Sequence, residues 1–284
     1  MIYSRSAAGP DAVCVEYLDG GALSFMTAAA ADRLSALAAA AIVVPATTRT
    51  VRQFNRIRLP GRPWRYAVTT NGGNILDNGR PDRHWRTGLD AEVRASGATL
   101  SQVNAELCSR ISDSFVQRFR VADHLFPYLV VDPAALPPEF LPEWDAWCRP
   151  RGWSASRQGR KIYTMPVAVC KSRAVTEVRR RLTDSGELAP NARLVAAGDG
   201  ALDAAMLRSA DAAIRPLHGE LEELAWTHPN LTVTGASGIG ASEEILDWFE
   251  KFRQLPAGRS PARIGSTRSA LRRTSTSGAP SRKR

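Results

Sequence analysis

The residues best suited to chemistry stand at four places in the chain, each directly after an apolar run. Arg193-Leu-Val-Ala-Ala leads straight into Gly198-Asp199-Gly200, and a second carboxylate, Asp203, follows four residues after the first. Two carboxylates at one strand end suit a hard divalent cation, Mg²⁺ above all, which takes few protein oxygens and keeps water or phosphate on its other positions. The same residues also make an ordinary Gly-Asp-Gly turn with a first-turn helix acid. Lys171 stands between the apolar residues 167–170 and a helical run with Val175, Val178 and Leu182 on one face and Ser172 placed to cap it. A cation at a helix N-terminus opposes the macrodipole unless an anion lies there too, and a phosphate is such an anion; a solvated loop lysine is the plain alternative. Thr47-Thr48-Arg49 follows Ile42-Val-Val, where a hydroxyl and free backbone N–H groups can cradle phosphate oxygens, although threonine caps helices without any ligand. Asn71-Gly72-Gly73 closes the next extended run and is by itself a turn.

The elements that must position these residues read as an α/β alternation. Residues 13–18 and 22–26 form a hairpin around Asp19-Gly20-Gly21, and Thr27 caps an alanine-rich helix with Leu34, Leu37 and Ala38 on its apolar face. A short buried strand at 42–44, a helix with Val51, Phe54 and Ile57, and a strand at 65–70 follow. The pattern breaks between residues 77 and 160, which hold four of the seven tryptophans (Trp85, Trp144, Trp147, Trp153) and a proline-rich stretch at 133–150. A helix at 100–110 and strands at 116–121 and 128–131 fall inside this inserted lobe. The alternation resumes with strand 161–165, helix 172–182, strand 193–197, helix 202–210, the short run 212–214, strand 231–234 and helix 243–252. The expected division is therefore a core of residues 1–76 and 161–255, a cap of residues 77–160, and a basic tail at 256–284.

The formal charge of +10 invites a polyanion partner until its location is considered. Eight basic residues and no acid lie from Pro256 onward, which leaves about +2 on the preceding 255 residues. The tail is rich in Ser, Thr, Pro, Gly and Arg, predicts disorder, and offers nucleic acid only non-specific, salt-sensitive attraction. Four widely spaced cysteines without a Cys-x-x-Cys pair argue against a zinc site or disulfide scaffold and fit a reducing cytoplasm. The longest apolar run is about nine residues, short of the roughly 20 that span a bilayer. Thr234-Gly-Ala-Ser-Gly-Ile-Gly240 imitates a dinucleotide-binding loop, but too little chain comes after it to build the βαβ unit such a loop requires. The four histidines show no ligand spacing, and the cap tryptophans read as lobe core. Oligomeric state leaves no mark on the sequence.

Taken in order, the four stations resemble the motifs of the haloacid dehalogenase-like (HAD) phosphohydrolases, in the branch whose large α/β cap comes after the third strand and which includes enzymes similar to sucrose-phosphatase and mannosyl-phosphoglycerate phosphatase. Thr47-Thr48-Arg49 resembles the family's second motif, Asn71-Gly72 its Asn-Gly pair, Lys171 its third motif, and Gly198-Asp199 through Asp203 its Gly-Asp-x-x-x-Asp. The resemblance implies a Rossmann-like parallel-sheet core with a cap lobe and a Mg²⁺-dependent hydrolase of phosphate monoesters, with sugar phosphates as the small-molecule substrates. It implies Lys171, Thr47 and Asp199 as catalytic residues, Thr47, Thr48, Asn71, Gly72 and Lys171 as the phosphate-binding set, and Asp199 and Asp203 as metal ligands.

One element of the resemblance is missing. The family's first motif, Asp-x-Asp-x-Thr at the end of the first strand, supplies the nucleophile and the acid/base, and the chain contains no such run. Tyr17-Leu18-Asp19-Gly20-Gly21 is the nearest in pattern, with Tyr in the nucleophile's place. Met1-Ile2-Tyr3-Ser4 instead resembles the residues directly after the motif in relatives, so the expectation is a motif just upstream of Met1 and a chain lacking its nucleophile. The competing expectation is a non-catalytic scaffold of the same fold whose basic tail binds polyanions.

Overall fold

A computed structural model of the chain describes residues 2–255, so the tail expected from Pro256 lies outside the described residues. Strands β1 (Ala12–Leu18) and β2 (Gly21–Thr27) pair antiparallel around Asp19 and Gly20, both at positive φ. Thr27 then caps α1 (Ala28–Ala40), its hydroxyl accepting from the Ala30 amide at 3.0 Å while Ala30, Leu34 and Leu37 are buried. A capping box between Thr50 and Gln53 starts α2 (Val51–Asn55). Strands β3 (Tyr66–Thr69), β4 (Asn74–Asp77) and β5 (Arg80–Pro81) make a small antiparallel sheet, its first turn holding Thr70, Asn71 and Gly72 at positive φ.

The cap carries α3 (Arg83–Ser96), α4 (Leu100–Arg110), β6 (Val116–Ala122), β7 (Phe126–Val131), α5 (Phe140–Cys148), β8 (Trp153–Gln158) and β9 (Lys161–Pro166). Its strands form one antiparallel sheet in the order β6-β7-β9-β8. The segment expected as the first strand of the returning core is thus β9, which hydrogen-bonds to β7 and β8. The reason is local: Gly159-Arg160 is a two-residue hairpin loop, Gly159 at φ 56, so β9 must fold back on β8. One face of the sheet packs on the cap helices through Leu107, Leu129, Trp144, Trp153 and Ile162, all at most 1 % exposed. Trp144 Nε1 donates to Thr164 Oγ1 at 2.7 Å and Trp153 Nε1 to the Ala98 carbonyl at 2.7 Å, so both indoles are satisfied core residues. Each stabilises the lobe by roughly 4–6 kcal/mol before entropy is counted.

After the cap come α6 (Lys171–Asp184), β10 (Val195–Ala197), α7 (Ala204–Ser209), β11 (Ala212–Arg215), α8 (Glu220–Glu223), β12 (Leu231–Val233) and α9 (Gly240–Gln254). The strands β10, β11 and β12 are parallel neighbours. The expected strand at 42–44 is extended but pairs only with β3, through a parallel bridge at Ala46 and Val68. Val68 donates to the Pro45 carbonyl at 2.7 Å and Thr47 to the Val68 carbonyl at 2.9 Å. Among the described residues no backbone hydrogen bond joins this stretch to β10. Helices bridge them instead. On one side α6 contributes Ala174, Val175 and Val178 to a cluster with Val68, Ala196 and Ala213, against which Val44 and Ala46 pack. On the other side α9 places Leu246 with Ala67 and Ile245, Trp248 and Phe252 with Ala212 and Ile214.

One carboxylate joins cap and core at several points. Asp123, at the β6–β7 turn, accepts from the Thr70 hydroxyl, from Asn74 Nδ2 at 3.1 Å and from the Val51 amide at 3.0 Å. Arg86 secures the same turn by donating to the Asp123 carbonyl at 2.9 Å. No helix among the described residues is long and apolar enough to cross a membrane.

Candidate functional site

The four stations converge at the carboxyl ends of the parallel strands. Lys171 opens α6, and its amine donates to Asp203 Oδ1 at 2.5 Å. The two residues are 4 % and 5 % exposed. The other oxygen of Asp203 accepts from the Asp199 amide at 3.2 Å and the Gly200 amide at 3.0 Å. This explains how a buried lysine tolerates a helix N-terminus: the anion that offsets the macrodipole is a side chain of the same protein. Ser172 does not cap the helix; Cys170 occupies that position without a side-chain cap bond.

Contact continues from Lys171 to the other stations. Gly72 sits at φ +99, and a Cβ there would collide with the Cys170 carbonyl, so only glycine lets this turn lie against the entry to α6. The Asn71 amide donates to the Thr47 carbonyl at 3.0 Å, which ties the second station to the third. Asn71 is buried, and its Nδ2 donates to the Val169 carbonyl at 3.2 Å and approaches Met165 Sδ at 3.2 Å. Its side chain therefore holds the turn to the lysine loop and to β9, while its Oδ1 has no hydrogen-bond partner. Thr47 Oγ1 accepts from the Arg49 amide at 3.1 Å, and Trp85 Nε1 donates to the Gly72 carbonyl at 3.0 Å.

The charge at this rim is unevenly covered. Lys171 and Asp203 neutralise one another, and Arg49 reaches Glu16 at 2.8 Å. Glu16 is fully buried, also accepts from Ser24 at 2.6 Å, and pairs with Arg56 at 3.1 Å. Burial alone pushes its carboxyl upward in pKa, but Ser24 and the two guanidiniums outweigh that and hold it below the usual glutamate value. Asp199 is exposed at the rim. The carboxyl of Glu220, one oxygen of which accepts from the Ala201 amide at 2.8 Å, is raised by burial and further by the charges of Glu223, Asp199 and Asp203. The open side of the rim is thus acidic, with Asp199 as its exposed carboxylate. No group of three or more His, Cys, Asp or Glu side chains among the described residues is arranged as a metal site. That fits a cation that takes one or two protein oxygens and completes its shell from water and ligand.

The cap leans over this rim. Tyr163 on β9 lies near Thr48, and burial raises its hydroxyl pKa against the lowering effect of that threonine. The Gln158 amide at the end of β8 lies so close to Gly200 that a side chain there would strike it. Lys161 is held below the ordinary lysine pKa by burial and then by the nearby charge of Arg49. Sequence reasoning did not find Glu16, Asp123, Tyr163 or Lys161. Glu16 and Lys161 carry no local motif, and Asp123 sits in an ordinary turn. The Tyr17-Leu18-Asp19 run lies at the exposed tip of an antiparallel hairpin, away from the parallel strand ends.

No protein-family model matches the chain, and no curated protein matches it by sequence. Solved structures do match it. The sucrose-phosphatase of Synechocystis, solved with sucrose and phosphate, gives a TM-score of 0.63 at 15 % identity, over 78 % of this chain and 91 % of that one. A trehalose-6-phosphate phosphatase related protein gives 0.53 at 18 % identity, over 85 % and 95 %. The chain shares the overall fold of these two solved structures. A HAD subclass IIB sugar phosphatase matches at a TM-score of 0.51 and 13 % identity, over 79 % of this chain and 90 % of that one. The expected mixed α/β fold is therefore present.

Proposed function

We propose that the rim binds the phosphate group of a phosphorylated sugar through a divalent cation, Mg²⁺, as the phosphoryl-handling half of a HAD-type phosphohydrolase. The observation that carries this reading is the buried pair of Lys171 and Asp203, 2.5 Å apart at neighbouring strand ends beside the exposed Asp199. Asp199 is the carboxylate free to hold the cation. Asp203, with both oxygens engaged, positions Lys171 and the 199–200 amides. When bound, the cation supplies positive charge to the transferring phosphoryl group.

With Lys171 and Arg49 already paired and Asp199 exposed at the rim, a cation on Asp199 would offset the carboxylate charge next to a bound phosphate dianion. Lys171 keeps further N–H donors beyond the one given to Asp203, and Thr47 adds a hydroxyl at the same rim. These groups orient a phosphoryl group and stabilise its charge. Attack on phosphorus also needs a nucleophile and a proton donor for the leaving oxygen, and no Asp-x-Asp-x-Thr run is present to supply them. The 284-residue polypeptide accordingly binds phosphate esters and hydrolyses them little or not at all.

Calorimetric titration with inorganic phosphate checks the reading. Binding is expected with Mg²⁺ present, lost with EDTA, and lost in Lys171→Met. Binding that ignores both changes would remove the rim from the account, and rapid Mg²⁺-dependent turnover of a phosphomonoester would overturn the absence of a nucleophile.

A further inference from the structure

The cap sheet buries one face against its helices; its other face is buried at Phe126, Tyr163 and Met165 and exposed at β6, and the charged strand residues on it are all basic. Register places its residues in two rows. Arg120, Tyr128, Tyr163 and Ser156 stand opposite one another across the four strands, and Arg118, Val130, Lys161 and Gln158 form the parallel row two residues along. The four strands contain no aspartate or glutamate. Arg118 and Arg120 are exposed, and among the described residues no ion pair to either, or to Lys161, is found. The Lys161 amine lies 5.6 Å from the centre of the Tyr128 ring and close enough to Arg49 to feel its charge. Arg49 is itself paired with Glu16, so Lys161 is the partly buried cation of this face left to an incoming anion. The rows start above the rim, where Gln158 meets Gly200 and Tyr163 meets Thr48. They end at β6, two strand spacings and roughly 10 Å from Tyr163, three spacings and roughly 14 Å from Gln158, distances that a sugar with a distal acidic group can bridge.

We propose that this face is a second anion subsite, in which Lys161 and Arg120, flanked by Tyr128 and Tyr163, receive an acidic group on the part of the substrate remote from the phosphate at the rim. The substrate is then a phosphorylated sugar derivative with two anionic groups, the second a carboxylate or another phosphate. This rests on the phosphate-binding reading of the rim.

The test is calorimetric titration of the full chain with Mg²⁺, using inorganic phosphate, glucose 6-phosphate, fructose 1,6-bisphosphate and 6-phosphogluconate. One of the two doubly anionic sugars is expected to bind about tenfold or more tightly than glucose 6-phosphate, the size of one charge-assisted hydrogen bond. Which of them does so distinguishes phosphate from carboxylate. In Lys161→Gln, and independently in the exposed Arg120→Gln, that ratio is expected to fall toward one. Equal affinity for all three sugars in the unaltered protein, or a ratio that survives both substitutions, overturns the subsite while leaving the rim intact. If inorganic phosphate fails to bind as well, the rim reading has failed and the subsite falls with it.

Discussion

The rim and the cap sheet are both built around lysines, and they treat them in opposite ways. Lys171 is buried on a carboxylate that is itself held by two backbone amides, so its geometry is complete before any ligand arrives. Lys161 is half-buried with an arginine for a neighbour, so its electrostatics are incomplete until one does. The difference teaches where each lobe's chemistry is determined. On the proposed reading, the rim is preorganised for one group and takes it up with a cation, whereas the cap face selects by charge.

The sharpest break between the two comes from removing each amine. Lys171→Met strands Asp203 as a buried, unpaired carboxylate, for which a loss of about 3–5 kcal/mol of stability is expected in urea unfolding. Lys161→Met strands nothing and relieves crowding with Arg49, so its unfolding midpoint is expected to stay level or rise. A comparable loss in both would mean that the cap lysine has a partner as important as Asp203.

Glycines repeat the contrast on a smaller scale. Gly72→Ala forces a side chain into a left-handed conformation and against the Cys170 carbonyl, with an expected loss of about 1–3 kcal/mol and weaker phosphate binding. Gly159, at φ +56 in the cap hairpin, has open space around it, so Gly159→Ala is expected to cost about 1 kcal/mol and leave phosphate binding alone. Thermal unfolding paired with phosphate titration separates the two.

Titration in acid probes the joint near the rim. Glu16 has a folded-state pKa below its unfolded value, so its contribution is fully present above the unfolded value of about 4.3 and is lost as pH falls through the folded one. Glu16→Gln is expected to lose this pH-dependent step, measured as the difference between the two proteins' stability curves below pH 5. The smallest effect lies in the cap. Lys161 has a lowered folded-state pKa, so stability is expected to rise slightly as pH climbs toward the ordinary lysine value, and Lys161→Met removes that rise.

Much of the architecture was legible because it is periodic. The hairpin before α1, the Thr27 cap, α4 and the β10–β12 alternation emerge from apolar spacing and turn residues. The helices α3 and α5 escaped notice, α3 because it is mostly polar around Trp85, Leu89 and Val93, and α5 because Pro142 in its first turn reads as a loop residue. The stations of the rim were visible as residue types, but their division of labour was not. Asp203 and Asp199 look equivalent in sequence, and only the contact to Lys171, 32 positions away, separates the positioning carboxylate from the exposed one. Glu16 reads as an ordinary hairpin residue, yet the folding of Arg49 and Arg56 onto it makes it the most enclosed acid of the described residues.

The missing ladder between residues 42–46 and β10 has a mechanical consequence. Backbone pairing fixes neighbouring strands to within a fraction of an ångström, whereas helices hold them only through the fit of interlocking side chains. The distance from Thr47 to Asp199 is therefore governed by Val175, Val178, Leu246 and Trp248, and thinning that mortar would move the two halves of the rim apart without touching either.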